Sequence, residues 1–254
     1  MVGTIIFVIH LKDHSSGLVH FIGKKMVAVI GDIHGCFYTL KDLVTKLKDK
    51  YPNIEIYSVG DLVDRGNFSY DVVEFIKTEK IKFTAGNHDL MFYHFINHPG
   101  SEMGRIWIYN GSEPTINSYK DKVDEMHKHL DFIIEAPLFF DLPDCFISHA
   151  GISSYYKSRL PRNVLSNLDQ ISKIMTANIM SDHGILWARD SLMNLGKLQV
   201  VGHTRQREVH HIKKNNSVYI DTSAYSGNKL SSIIVKDSEI IDILDVPTYK
   251  KDIE

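Results

Sequence analysis

Apolar residues in this chain follow two rhythms. Short β-branched runs recur, each ending in Gly, Asp, Asn or His: "VAVIGD" (27–32), "IEIYSVGD" (54–61), "IKFTAGNHD" (81–89), "CFISHAG" (145–151), "LQVVGHT" (198–204) and "SVYIDTSA" (217–224). Strand pattern followed by turn chemistry predicts a buried strand at each. Between the first three the rhythm becomes helical. "FYTLKDLVTKLKDK" (37–50) puts Leu40, Leu43, Val44 and Leu47 on one face, and "SYDVVEFIKTEK" (69–80) does the same with Val72, Val73, Phe75 and Ile76. Strands alternating with helices predict βαβ units and a largely parallel central sheet. Further on, "LSSIIVK" (230–236) and "EIIDILDV" (239–246) follow one another through short turns, and an antiparallel second sheet is expected there. "KKNN" (213–216) has the composition of a hairpin turn. The expected architecture is α/β.

Residues 90–140 carry a helical, aromatic-rich pattern, and 153–186 a weaker one; both are expected to be helical insertions. Met26 opens "MVAVIGDIHG", a complete first strand and loop with nothing required before it. The expected organisation is therefore one catalytic domain over 26–254. Residues 1–25 would be an appendage, disordered or upstream of the native start.

Composition narrows the classes. The 254 residues are 43% hydrophobic, enough for one substantial core. Twenty-nine basic against 31 acidic residues give a net charge of −2, so no pull toward nucleic acid or an anionic membrane is expected. Cys36 and Cys145 are too few for a disulfide framework and fit a reducing cytosol, which makes a cytoplasmic location the expectation. No apolar run approaches the length of a membrane helix. "MVGTIIFVIH" lacks the basic flank of a signal peptide.

In open α/β sheets the carboxyl ends of the strands face the ligand crevice. This chain places Asp32 and His34 after its first strand, Asp61 after the second, and Asn87 and His88 after the third. His149 follows the fourth and His203 the fifth. Singly, each has a plain reading as a turn former, a helix cap or a satisfied histidine. Together they would bury many titratable groups beside apolar strands, which is costly without a counter-ion. Divalent cations supply the missing charge. Six ligands suit two cations better than one, with Asp61 as the bridge. Oxygen and imidazole donors without thiolate favour Mn, Fe or Zn. Two such ions about 3.5–4 Å apart clamp an in-line phosphoryl displacement and activate water. Arg65, in "VGDLVDRG", has the planar fork that matches phosphate oxygens. Asp64 can fix the tautomer of a catalytic imidazole, and His88 is the candidate.

"GDIHG" (31–35), "GDLVDRG" (60–66), "GNHD" (86–89), "HAG" (149–151) and "VGHT" (201–204), in this order, resemble the metal-dependent phosphoprotein phosphatase (PPP) family, especially its bacterial and phage serine/threonine phosphatases. The resemblance spans roughly residues 26–246. It implies a calcineurin-like β-sandwich of two mixed sheets flanked by helices. One metal would be held by Asp32, His34 and Asp61, and the other by Asp61, Asn87, His149 and His203. It further implies Arg65 and Arg189 ("LWARD", 186–190) on the phosphoryl group, and His88 paired with Asp64 as the acid for the leaving alkoxide. The two ions would be manganese, with iron or zinc as alternatives, and a metal-bridging hydroxide would attack phosphorus directly. The implied partner is a phosphoprotein or phosphopeptide, with no nucleic acid and no membrane; oligomeric state is not readable.

Three positions depart from the family pattern: Asp89 replaces a more frequent Glu, Ser112 replaces a second Gly in "WIYNGSEPTINSY" (107–119), and Tyr225 stands near the site mouth. His94, His98, His127 and His210 carry no motif and are expected at the surface or in packing. The competing hydrolase is a symmetrical diadenosine tetraphosphatase. Intact Asp64 favours phosphomonoesters over it, because a poor alkoxide leaving group gains most from a general acid. A nuclease of the wider superfamily is disfavoured by Arg205, which stands where a further metal-binding histidine is usual. A scaffold without activity is disfavoured because every ligand, His88 and both arginines are retained.

Overall fold

The computed structural model describes residues 26–254 apart from Arg162. The expectation for residues 1–25 lies outside the described residues. The first half runs β1 (Val27–Ile30), α1 (Phe37–Lys50), β2 (Glu55–Ser58), α2 (Ser69–Thr78), β3 (Lys82–Phe83), α3 (Asn87–Asn97), α4 (Glu102–Trp107), α5 (Glu113–Ser118) and α6 (Val123–Ile134). The second runs β4 (Phe139–Asp141), β5 (Cys145–Ser148), α7 (Leu168–Ala177), β6 (Leu198–Val201), β7 (His210–Ile212), β8 (Ser217–Tyr219), β9 (Lys229–Lys236) and β10 (Glu239–Pro247).

Two five-stranded mixed sheets form, in the orders β10-β9-β1-β2-β3 and β4-β5-β6-β8-β7. In the first, β1, β2 and β3 are parallel while β9 and β10 run antiparallel. In the second, β5, β6 and β8 are parallel and the two edge strands antiparallel. The late hairpin is therefore antiparallel as expected but does not found a second sheet: β9 lies between β10 and β1, with Val27 opposite Val235. The reason is burial. Six consecutive residues of β9 are buried, the signature of a strand covered on both faces, whereas β10 alternates like an edge strand. This places β1 at the centre of the sheet that carries Asp61.

The inner faces of the two sheets meet in a layer of Val29, Tyr57, Ile147, Val200, Val218 and Ile233. The outer face of the first sheet is covered by α1 and α2. Leu40, Leu43, Val44 and Leu47 are buried, as are Val72, Val73 and Ile76, with Phe75 half-buried. Each such side chain contributes about 1.5–3 kcal/mol over an exposed position. The 90–140 insertion comprises most of α3, α4, α5 and α6 and also yields β4 at its end; the 153–186 insertion yields two 3₁₀ turns and α7. Residues 213–216 are the turn of the β7–β8 hairpin. Both cysteines are buried and free, and burial pushes the Cys145 thiol up to about 12. Among the described residues, no helix is long and apolar enough to cross a membrane.

Candidate metal centre

Five strand exits converge at the seam between the sheets. β1 leads into Asp32 and His34, β2 into Asp61, Asp64 and Arg65, and β3 into α3, which opens with Asn87 and His88. From the second sheet, β5 leads to His149 and β6 to His203. All but Arg65 are buried. Backbone bonds fuse the first two loops: Ile33 N and His34 N donate to Asp61 O (3.1 and 2.8 Å), and Gly66 N donates to His34 O (3.1 Å). Two glycines let carboxylates lie against bare backbone. A Cβ at Gly86 would stand 2.1 Å from Asp61 Oδ1, and one at Gly202 would stand 1.8 Å from Asp32 Oδ1.

Five of these residues occupy the left-handed region: His34 (φ 47°), Asp61 (51°), Asp64 (73°), Arg65 (72°) and His203 (60°). For a residue with a Cβ this costs of order 1–2 kcal/mol each, so the loops around them hold a geometry the chain would not choose alone.

The imidazoles are oriented from behind. His34 Nδ1 donates to Val63 O and His149 Nδ1 to Val59 O, both at 2.9 Å. Burial pushes both pKa values down, so each ring is neutral and its Nε2 bears a lone pair. Those lone pairs face the two oxygens of Asp61, at 3.4 and 3.5 Å. Asp61 itself is ionised: against the burial that raises it, neighbouring positive charge, that of Arg65 included, holds its carboxyl well below the usual range. Acceptor faces acceptor, an arrangement that a cation between them reconciles.

Two further observations point the same way. His203 Nε2 is buried without a hydrogen-bond partner, and burial pushes its pKa well down. Burial, with Asp221 and Asp61 nearby, raises Asp32 well above the usual carboxylate range, a surplus of negative charge. Two groups of donors lie within 4.8 Å of one another, His34 with Asp61 and His88, and Asp32 with Asp61 and His149. Asp61 belongs to both. Asn87 Oδ1 lies 2.9 Å from the His149 Nε2 lone pair, a further meeting of acceptor with acceptor, and 3.1 Å from His203 Nδ1. The donor set fits a pair of divalent cations sharing Asp61.

Beside it, Arg65 spreads its fork across the centre, Nη1 at 2.9 Å from His34 Nε2 and Nη2 at 2.9 Å from His88 Nε2. His88 Nδ1 meets Asp64 Oδ2 at 2.7 Å. Asp64 is held in turn by Trp107 Nε1 and Thr115 Oγ1, each donating at 2.8 Å. Burial raises Asp64, opposed by His88, Thr115 and Trp107.

The three departures from the family pattern take definite places. Asp89 accepts from Leu62 N (2.8 Å) and Gly86 N (3.0 Å), clamping the Asp61 loop to the start of α3; burial, then Asp61, push it up to about 7. Ser112 has an ordinary negative φ of −78°, while Gly111 takes the left-handed turn (φ +83°) and accepts from Arg65 N at 2.8 Å. One glycine suffices. Tyr225 lies under Arg65, 4.3 Å from guanidinium carbon to ring centroid, and its ring meets His34 edge-on at 5.0 Å.

Arg189 is exposed and donates to His203 O (3.3 Å). It does not pair with Asp190, whose Oδ2 accepts from Ser153 and meets His183 Nδ1. Asp221 escaped the sequence reading although "SVYIDTSA" shows the same strand-then-Asp signal; it is buried, and its charge reaches Asp32.

A sandwich of two mixed sheets with such a centre defines a class. Residues 25–225 match the calcineurin-like phosphoesterase family, and the chain belongs to it. It is 28% identical over 240 residues to a bis(5'-nucleosyl)-tetraphosphatase PrpE [asymmetrical] of Bacillus mycoides, covering 85% of this chain and 92% of that one. The protein of the same name from Oceanobacillus iheyensis is 26% identical over 249 residues, at 85% and 91% coverage. A cold-active protein-tyrosine phosphatase of a Shewanella species shares the fold, with TM-score 0.55, 19% identity, and coverage of 89% of this chain and 81% of that one.

Proposed function

We propose that this metal-dependent phosphoesterase hydrolyses dinucleoside polyphosphates. The observation that carries the reading is the likeness, over 85% of the chain, to relatives named bis(5'-nucleosyl)-tetraphosphatases. It reverses the order that the sequence reading gave. The His88–Asp64 pair, taken there as a sign of phosphomonoesters, can protonate a departing oxygen on either kind of substrate, so it does not choose between them.

In this reading Asp32, His34, Asp61, Asn87, His149 and His203 would hold two divalent cations, manganese by preference. When bound, these supply Lewis acidity at phosphorus and an activated water. Arg65 grips the phosphoryl oxygens with its fork, and Tyr225 beneath it keeps the guanidinium flat and aimed. Arg189, with no competing bond to Asp190, is free to reach the same group. Asp64 holds the His88 Nδ1 proton; Nε2, which accepts from Arg65 Nη2 at 2.9 Å, would be the atom that takes up a proton and hands it to the leaving group once Arg65 turns to the phosphoryl oxygens.

A second reading, protein phosphatase on phosphoserine or phosphothreonine, keeps support from that same buried acid pair. One assay separates them: metal-stripped protein resupplied with Mn²⁺, offered diadenosine tetraphosphate and a phosphopeptide panel. Turnover of the dinucleotide with little on the peptides is expected. The reverse pattern would give the enzyme to phosphoproteins. Chromatography of the products distinguishes unequal cleavage, to mono- and triphosphate, from the symmetrical cleavage considered from the sequence.

A further inference from the structure

The loop after β6 leaves the metal centre at His203 and continues as Thr204-Arg205-Gln206-Arg207. It borders a cleft of about 410 Å³ lined by Arg205, Gln206, Arg207, Ser223 and Asn228, with no carboxylate among them. Of the neighbouring acids, buried Asp221 acts by its charge on Arg205, and Glu208 has its own partner. Glu208 is bound to Lys229 at 2.6 Å, and Asp221 is buried and accepts from Ser223 N. Among the described residues, neither Arg205 nor Arg207 forms an ion pair.

The cleft is built rather than draped. Asn228 Nδ2 donates to Arg207 O (2.9 Å) and Thr222 O (2.8 Å), and Gln206 N donates to Asp221 O (2.8 Å), so the loop is tied to the β8–β9 connection. Tyr225 joins it to the phosphoryl site. Its hydroxyl accepts from Arg205 Nη1 at 2.9 Å while its ring carries Arg65. Arg65 and Arg205 thus flank one tyrosine, and Arg207 extends the line of cations into the cleft.

A phosphomonoester concentrates its charge on the one group that Arg65 and the metal ligands already surround. A polyphosphate continues that charge beyond the group being attacked, and planar guanidiniums are suited to meeting it. We propose that the Arg205–Arg207 cleft is a second anion subsite, which takes the polyphosphate chain beyond the phosphoryl group held at Arg65. The inference rests on the dinucleoside polyphosphate reading.

The test uses Mn²⁺-loaded full chain and Arg207→Gln, whose side chain makes none of the contacts described above. Substrates are diadenosine tetraphosphate and p-nitrophenyl phosphate, with inorganic tripolyphosphate as inhibitor of the second reaction. Loss of one charged contact is worth about tenfold in binding. The dinucleotide KM is therefore expected to rise by about that factor more than the p-nitrophenyl phosphate KM, with kcat little changed, and the tripolyphosphate inhibition constant to rise alongside. Equal losses on both substrates, or an unmoved inhibition constant, overturn the subsite. A rise seen with tripolyphosphate alone keeps the subsite and assigns it to inorganic polyphosphate. Failure of the wild type to cleave the dinucleotide removes the proposed function, while tripolyphosphate inhibition still judges the cleft.

Discussion

His88 illustrates what a single side chain reveals and conceals. It stands in a donor group with His34 and Asp61, as a ligand would, yet its Nδ1 is fixed on Asp64, as a proton donor's would be. His88→Asn decides between the two. As the acid, its loss should lower kcat by about 10²–10⁴-fold with metal content by elemental analysis unchanged; loss of metal along with activity would make it a ligand. The seven residues at the strand exits were readable because each directly follows an apolar run. Trp107 and Thr115 were legible only through the family resemblance, since they meet Asp64 across 43 and 51 residues of chain. Asp221 had the local signal, but no motif accompanied it. The left-handed backbone at Asp61, Asp64 and Arg65 was not readable at all, for no propensity favours an arginine there.

At the scale of elements, α1 shows how remote residues complete a local structure. Its N-cap, Cys36, makes no side-chain cap. The buried Asp252 does so from afar, accepting from Tyr38 N (3.0 Å), Thr39 N (2.9 Å) and Thr39 Oγ1 (2.6 Å). Its backbone carbonyl also holds Asn67 N in the Arg65 loop. Asp252→Ala should therefore cost about 2 kcal/mol, the upper end for caps, and roughly 4–8 °C in Tm by calorimetry. Under α2, His129 is buried with Tyr119 OH bonded to Nδ1 and Glu74 bonded to Nε2, a satisfied neutral ring. Burial lowers its pKa from 6.5. Below that value the unfolded chain binds a proton that the folded one refuses, so stability is full above it and falls as pH drops. His129→Gln should flatten that slope in urea titrations carried out below pH 6.5. Helices α1 and α2 were legible from their apolar stripes. Strand β7, two histidines and an isoleucine with exposed ends, was not, and sheet membership of β9 is a non-local choice that pattern alone does not make.

For the whole molecule, the candidate metal centre would also be a fastening. Its residues come from loops of both sheets at their seam and carry the surplus negative charge described at Asp32. Removing the ions with a chelator should lower Tm, and restoring Mn²⁺ at a hundred times its dissociation constant should return about 2.7 kcal/mol, roughly 5–10 °C; an unmoved Tm would mean the ions do not bind the folded state. The sheet order has one more consequence, and it concerns time. Val27 pairs with Val235, so the central strand of the first sheet meets its neighbour only after roughly 200 further residues have been made. At the usual pace of translation that is roughly ten to forty seconds. Through that interval β1 and β2 can pair, but the other edge of β1 lies open, an apolar ribbon with unmet amides and the first candidate metal ligands at its tip. A nascent chain of this protein needs that edge shielded while it waits, and ribosomes stalled before residue 229 should display a fragment that binds chaperones rather than metal.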